Sequence, residues 1–423
     1  MKRLAFATVS LLLVAFSCSE LDVVKVDDPI TISSPSPTEK IAKVTLNDAQ
    51  SGYVSAGNSM SLRLLGELFD EENLICSPLS LQYVMAMIAN GAEGETLAEI
   101  LDFLGYGEDG IDALNEYSRI LIEQLPAVDL DVTLKVTDAL LVNDRYPLLP
   151  AFKNTVEENY YAAVDNMDFS DPKQVAARIN EWARSNTNGF IDKVLEPSEI
   201  SPSTPASIMN ALYFKAKWGG MLMFKEEDTK TESFRRHNGS TAKVDMMNSG
   251  GYLRYAVMDG YKVLELPYSN GKFNMYVLLP DENDIEGLIG KLKTTQWSDI
   301  LGNMRSDAIV HVKMPKFDLE NKFNFSKVLI DLGVEKAFSS SAEFDGIFES
   351  DDVPFAIEKI IQKARISVTE WGTEAGAVTV TNIFGGSTNP INEIDFHADH
   401  PFAFVIGEKT SGTILFTGVV MQP

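Results

Sequence analysis

The sequence predicts an α+β protein, and three observations carry that expectation. Helical periodicity dominates the first half of the chain, from about residue 54 to residue 187. Short alternating strand patterns dominate the second half, some joined by hairpin chemistry. From about residue 45 onward no linker, repeat or low-complexity stretch interrupts the pattern, so helices and strands share one domain. With 423 residues, 45% hydrophobic and 23% charged, the chain is ample for a large core.

The first residues read as an address. Lys2 and Arg3 precede an apolar run, Leu4 to Phe16, too short to span a bilayer but suited to a signal peptide. Ala15-Phe16-Ser17-Cys18 looks like a bacterial lipoprotein cleavage box, in which Cys18 becomes the N-terminus and carries acyl chains. Each buried CH₂ of such chains is worth ~0.8 kcal/mol, enough in sum for stable anchoring. A plain secretory signal with an incidental cysteine is the alternative. Ser19-Glu20-Leu21-Asp22 resembles surface-export signals, and Ser33-Ser34-Pro35-Ser36-Pro37-Thr38 reads as a tether. The expected organisation is a signal peptide at 1–17, a tether at 18–44 and one domain at 45–423. The expected location is the outer membrane or cell surface, with membrane contact only through the lipid. A periplasmic or secreted protein is the alternative.

Within the domain, Leu62, Leu65 and Phe69 recur at helical spacing along 54–69. Ser77-Pro78 is a helix start, Ser as N-cap and Pro in the first turn, and the uncharged run Leu79 to Ala89 predicts a buried helix. Thr96 to Leu104 stops at Gly105. Residues 111–125, 149–163 and 174–187 also read as helices. Among strands, Val132, Leu134 and Val136 alternate with Thr133, Lys135 and Thr137; residues 208–215 and 309–314 follow. Residues 263–267 and 273–279 form a hairpin around Ser269-Asn270-Gly271. Ile366 and Val368 alternate with Ser367 and Thr369. Residues 402–406 and 413–420 pair around Lys409-Thr410-Ser411-Gly412.

Composition and motifs exclude much. Lys plus Arg number 36 against 61 Asp plus Glu, a net charge of −25, which argues against nucleic-acid binding and against docking on anionic membranes through the protein surface. Two cysteines build neither a disulfide framework nor a Cys-rich zinc site. There is no G-x-S-x-G elbow, P-loop, dinucleotide fingerprint or H-E-x-x-H, so no enzyme and no cofactor is expected. The histidines are His237, His311, His397 and His400. His397 and His400, near Asp395 and Asp399, have metal-ligand spacing but read better as a polar surface turn. Cys76 reads as a small core residue. Glu343, Asp345, Glu349, Asp351 and Asp352 lack the spacing of a calcium loop and read as a solvated face.

The informative segment is 370–401. A strand ends near Glu370 and the next starts near Phe402, leaving about thirty residues, too many for an ordinary hairpin loop. Alternate residues Thr373, Ala375, Ala377, Thr379 and Thr381 are small and uncharged, whereas Glu374, Gly376, Val378, Val380 and Asn382 form the other face. That is a strand with one side fit for a tight slot.

Here Gly372-Thr373-Glu374-Ala375-Gly376-Ala377, followed by Val378 and Thr379, resembles the loop hinge of the serpin family. The resemblance spans 45–423 through Cys76-Ser77-Pro78-Leu79-Ser80, Gly91-Ala92-Glu93-Gly94-Glu95-Thr96, Asn210 to Trp218, Leu264 to Tyr268, Pro315-Lys316-Phe317 and Phe416 to Val420. It implies a serpin fold: three β-sheets, eight or nine helices and an exposed reactive-centre loop. The implied function is suicide inhibition of endopeptidases, in which a cleaved loop inserts into the main sheet while the protease is held as an acyl-enzyme. Small, uncharged residues on the inward face permit that insertion, since an unpaired charge there would be prohibitive to bury. A non-inhibitory serpin, whose loop is merely cleaved, is the alternative.

The resemblance also assigns positions. Glu370 and Lys316 form an ion pair at the top of the sheet with Trp218 beside it. Ser77, Ser80, Asn210 and Gln362 form the polar cluster under its middle, Gln362 standing where many serpins have His. The reactive bond falls at Gly386–Ser387, with Phe384–Gly385 as runner-up because the following segment is about four residues longer than usual. No Lys or Arg lies between Trp371 and Pro401, so elastase-, subtilisin- or chymotrypsin-like serine proteases are the expected targets, with papain-like cysteine proteases as a further class. The acidic chain lacks a basic helix, so no glycosaminoglycan cofactor is expected, and the protein is expected to be a monomer.

Overall fold

The computed structural model describes residues 35, 37–220, 222, 224–349, 356, 357, 359–373 and 392–423. In chain order these form α1 (Asp48–Leu68), β1 (Leu74–Cys76), α2 (Pro78–Ala89), α3 (Gly94–Leu104), α4 (Gly110–Gln124), β2 (Thr133–Asn143), α5 (Pro150–Tyr160), β3 (Ala163–Met167), α6 (Pro172–Asn186) and β4 (Ala206–Lys217). There follow β5 (Lys230–Arg235), β6 (Thr241–Gly251), β7 (Arg254–Met258), β8 (Tyr261–Pro267), β9 (Phe273–Pro280), α7 (Ile285–Leu292), α8 (Trp297–Gly302), β10 (Ala308–Pro315), β11 (Phe317–Asn324) and α9 (Ser326–Asp331). The chain ends with β12 (Ile361–Thr369), β13 (Gly372–Thr373), β14 (Asn392–His397), β15 (Phe402–Glu408) and β16 (Ile414–Val420). Helices lead and antiparallel strands follow, the expected α+β order.

Three sheets organise these strands: β1-β16-β15-β9-β8-β7, β14-β10-β6-β5 and β11-β12-β13-β4-β2-β3. The first is antiparallel throughout, and every residue of β9, β15 and β16 is buried. Burying a large side chain such as Phe402, Phe404 or Phe273 is worth roughly 1.5–3 kcal/mol, so this sheet anchors the core. Helix α2 packs between β16 of that sheet and β4 of the third. Its run of uncharged residues is buried at every position except Gln82, as a helix enclosed on all sides requires. Ser77 caps it by accepting from the Ser80 N–H at 3.3 Å, with Pro78 in the first turn.

Some boundaries differ from the sequence reading. Helix α1 begins six residues before Val54, at Asp48, because Asn47 and Gln50 form a reciprocal capping box. The helix expected at 149–163 ends at Tyr160, where Tyr161 turns left-handed and the chain enters β3. Residues 370–401 are not one long loop: β13 and β14 lie within it. Strand β14 escaped notice because it is an edge strand, parallel to β10, and only Phe396 of its six residues is buried.

Candidate functional site

Among the described residues the third sheet is sparsely paired at its centre. Strand β4 pairs antiparallel with β2 over ten residue pairs, and β12 with β11 over eight. Between β4 and β12 stands only β13, two residues long, with Thr373 opposite Ala216 on one side and Val368 on the other. Below Thr373 the facing edges of β4 and β12 have no strand between them among the described residues. A cavity of about 260 Å³ opens there, walled by Met209, Leu212, Ile361 and Ala364, with Ser80 and Val84 of α2 beneath and Trp182 of α6 above. The site is therefore a strand-shaped slot with two residues already seated at its mouth.

The seating is specific. Gly372 has φ +130°, and a Cβ there would lie 2.1 Å from the Ala216 carbonyl oxygen and 2.7 Å from Lys217 Cα. Only glycine fits this approach. Thr373 is buried, and its hydroxyl lies 2.6 Å from that of Tyr268. Trp218 stacks on Tyr268, ring centroids 4.7 Å apart and planes within 7°, and its indole N–H donates to the Thr369 carbonyl at 2.9 Å. The adjacent Glu370 carboxylate is 3% exposed and lies 3.1 Å from Lys316 Nζ. It also accepts from the Thr229 hydroxyl at 2.7 Å. Burial pushes this carboxyl up, but the Thr229 hydroxyl, its own backbone N–H and Lys316 together hold it below the usual glutamate range. Tyr268 and Thr229 were not singled out from sequence; Tyr268 lies inside the Leu264–Tyr268 motif, and Thr229 has no local signal.

The polar cluster under the middle of the sheet is two hydrogen-bonded groups. Gln362 clamps the Ser77 backbone, accepting from its N–H at 2.8 Å and donating to its carbonyl at 2.9 Å. The Ser77 hydroxyl donates to the Leu415 carbonyl, tying β12 through α2 to β16. In the second group the Ser80 hydroxyl donates to Asn210 Oδ1, and Asn210 Nδ2 donates to Asp138 Oδ1 at 2.7 Å. Asp138 was missed: it falls on the inward set with Val132, Leu134 and Val136, where a carboxylate is unexpected.

Other candidates fall elsewhere. Cys76 is fully buried 3.3 Å from the Thr417 hydroxyl, and burial pushes its thiol up to about 12, which makes it inert. His400 is not on a surface turn; it is buried, with its ring nitrogens 2.9 Å from Asp399 Oδ1 and the Pro280 carbonyl. His397 lies 3.7 Å from Asp395 and joins no metal-ligand group among the described residues. Glu343 is not a free solvated group: it accepts from the Glu95 and Thr96 N–H groups and so caps α3. Glu71, His237 and Glu286 gather at the surface, but the two carboxylates are exposed and His237 is taken by a 3.2 Å ion pair with Glu286, an ordinary surface arrangement. Cys18, the hinge residues Glu374 to Thr379, the bonds at Phe384–Gly385 and Gly386–Ser387, and Asp351 and Asp352 lie outside the described residues.

Comparison with known proteins agrees with this architecture. The family model "Serpin (serine protease inhibitor)" matches residues 55–423. A serpin-like protein of Thermococcus kodakarensis is 36% identical over 375 residues, covering 88% of this chain and 85% of its own. Ovalbumin of Gallus gallus is 31% identical, covering 83% of this chain and 94% of its own. The crystal structure of a thermophilic serpin, tengpin, in the native state superposes with TM-score 0.79 at 28% identity, covering 91% of this chain and 97% of its own.

Proposed function

The chain belongs to the serpin family, and from that premise we propose that it is a suicide inhibitor of endopeptidases. Serpins are typically protease inhibitors rather than enzymes, but the family includes non-inhibitory members, ovalbumin among the relatives here. The observation that carries the inhibitory reading is the seated hinge. Gly372 and Thr373 already occupy the first two positions of a missing strand, and the slot below them continues past Leu212 toward Met209. Residues entering behind Thr373 alternate Ala375, Ala377 and Thr379 on its face, all small enough for that slot. Each hydrogen bond gained by the new strand contributes about 1 kcal/mol net, so a long insertion runs strongly downhill once the loop is cut. The uncut form is then held kinetically.

The absence of Lys and Arg from 372–400 favours elastase-, subtilisin- or chymotrypsin-like targets, with cleavage at Gly386–Ser387 or Phe384–Gly385. The N-terminal sequence supports export with anchoring through Cys18 at the outer membrane or cell surface, a periplasmic or secreted protein being the alternative. The test is incubation with elastase, subtilisin and chymotrypsin, read on denaturing gels with mass spectrometry. A denaturant-resistant adduct of inhibitor and protease is expected, and the mass of the released C-terminal peptide fixes the bond. Quantitative cleavage by all three without any adduct would overturn the inhibitory reading in favour of a substrate-like serpin.

A further inference from the structure

Beneath the slot lies a carboxylate that the insertion mechanism does not use. Asp138 on β2 is fully buried, with one hydrogen bond, from Asn210; its second oxygen, Oδ2, has no hydrogen-bond partner. The Tyr83 hydroxyl, buried on α2, is likewise without a partner. Asn210 is a wall residue of the slot, and its other side-chain atom accepts from Ser80 of α2. The chain Ser80–Asn210–Asp138 thus links the buried helix, the slot edge and an interior carboxylate. Strands β4 and β2 are joined by their ten-pair ladder and β4 packs on α2, so a parting of β4 from β12 would load the contacts between β4 and α2.

The groups that face Asp138 offer no cation. From α2 comes the Tyr83 phenol and from α5 the Tyr160 phenol, both pushed above the usual range chiefly by burial. From β4 comes the neutral Asn210. Helix α6 packs on the opposite face of the sheet, against Ala139 and Leu141, and its Arg178 and Arg184 are occupied by Asp165 of β3 and by Glu181. Lys135, on that same opposite face, is bonded to Asn188. Desolvation therefore dominates, Asn210 offsets only part of it, and the Asp138 carboxyl is pushed up to about 7.

We propose that Asp138 is a proton-operated lock on the main sheet, protonated while the sheet is closed and ionised most readily once the sheet parts and water reaches it. This rests on the insertion reading above. The sign follows from linkage. A carboxyl whose closed-sheet pKa is raised holds an extra proton there, and an opened sheet that hydrates it releases that proton. Raising the pH from the ordinary aspartate range toward 7 therefore favours opening, and the effect levels off above 7. Acid locks the sheet; neutral and mildly alkaline conditions release it.

The experiment compares the full chain with Asp138→Asn, an isostere that is always neutral, at pH 5, 6, 7 and 8. Two quantities are followed on uncut protein: the rate of conversion to a heat-resistant, loop-inserted form, and the denaturant midpoint of the closed form. In wild type the conversion rate is expected to rise about tenfold between pH 6 and pH 8, and the midpoint to fall over the same interval. Asp138→Asn is expected to stay at the slow acid limit throughout. A wild-type midpoint that is level from pH 6 to pH 8, or a slope that persists in Asp138→Asn, overturns the lock. If Asp138→Asn does not fold, ¹³C-aspartate titration of wild type decides: an Asp138 already ionised at pH 5 overturns the proposal, and one titrating near 7 supports it. Should uncut and nicked chains both fail to reach an inserted form while the midpoint still shifts with pH, the inhibitory reading fails and the lock on the closed sheet stands.

Discussion

The two six-stranded sheets have the same number of strands and opposite completeness. In the β1-β16-β15-β9-β8-β7 sheet the strands β16, β15, β9 and β8 pair with one another over six or seven residues each, and β16, β15 and β9 are buried on both faces. In the β11-β12-β13-β4-β2-β3 sheet the third position is held, among the described residues, by two residues, and β12 is half-buried over its first three residues and alternates between buried and half-buried from Ala364 onward. Among the described residues the second presents facing backbone edges of β4 and β12 that a further strand could pair. One chain thus carries a densely paired sheet and, among the described residues, a sparsely paired one on either side of the same buried helix, and on the insertion reading proposed above that difference is what drives insertion.

That contrast can be broken or sharpened. The largest effect is expected from cutting the chain within 374–391. A dozen new ladder bonds at about 1 kcal/mol each would raise the thermal midpoint by on the order of 20 °C, measurable by calorimetry on nicked and intact protein. An unchanged midpoint would mean the second sheet is as finished as the first. A middle-sized effect is expected from Gly372→Ala. Its Cβ would meet the Ala216 carbonyl oxygen, so the seated pair would be expelled at a cost of about 1–3 kcal/mol. The Trp218 and Trp371 fluorescence at the mouth should change, and insertion should slow enough that the variant is cleaved as a substrate. The smallest effect is expected from Lys316→Ala. Lys316 is partly exposed, and removing it should cost about 0–1 kcal/mol. Because Glu370 is held below its usual range, the stability it contributes is present at neutral pH and is lost as the pH falls through its folded-state value. The difference between wild type and Lys316→Ala should therefore shrink as acid protonates Glu370, as read from denaturant midpoints followed downward from pH 7.

Much of this was legible in the sequence, for identifiable reasons. Ser77-Pro78 and the uncharged run after it announced a capped, enclosed helix because capping chemistry and hydropathy are local signals. Gly105 marked a helix end and adopts the left-handed conformation there. The small-residue face beginning at Thr373 announced a tight slot, and Thr373 sits in one. What escaped detection depends on long-range contacts. Strand β14 is polar because it lies at a sheet edge. Asp138, Tyr268 and Thr229 take their roles from partners 72, 105 and 141 residues away in sequence. A carboxylate in a strand run gives no local sign of whether it faces water or a core.

Strand β14 has a mechanical consequence. Strand β13 ends at Thr373 and strand β14 begins at Asn392, where β14 lies parallel to β10 over six paired residues. On the insertion reading proposed above, drawing the hinge down the slot at about 3.4 Å per residue shortens what is left between those two strands. Carried far enough in an uncut chain, the pull would arrive along β14 and load its hydrogen bonds together, in shear rather than one at a time. On that reading an uncut chain would resist full insertion at β14, and a protease that severs the segment would remove the load path in one step, so the event that attacks the loop would be the one that sets it free.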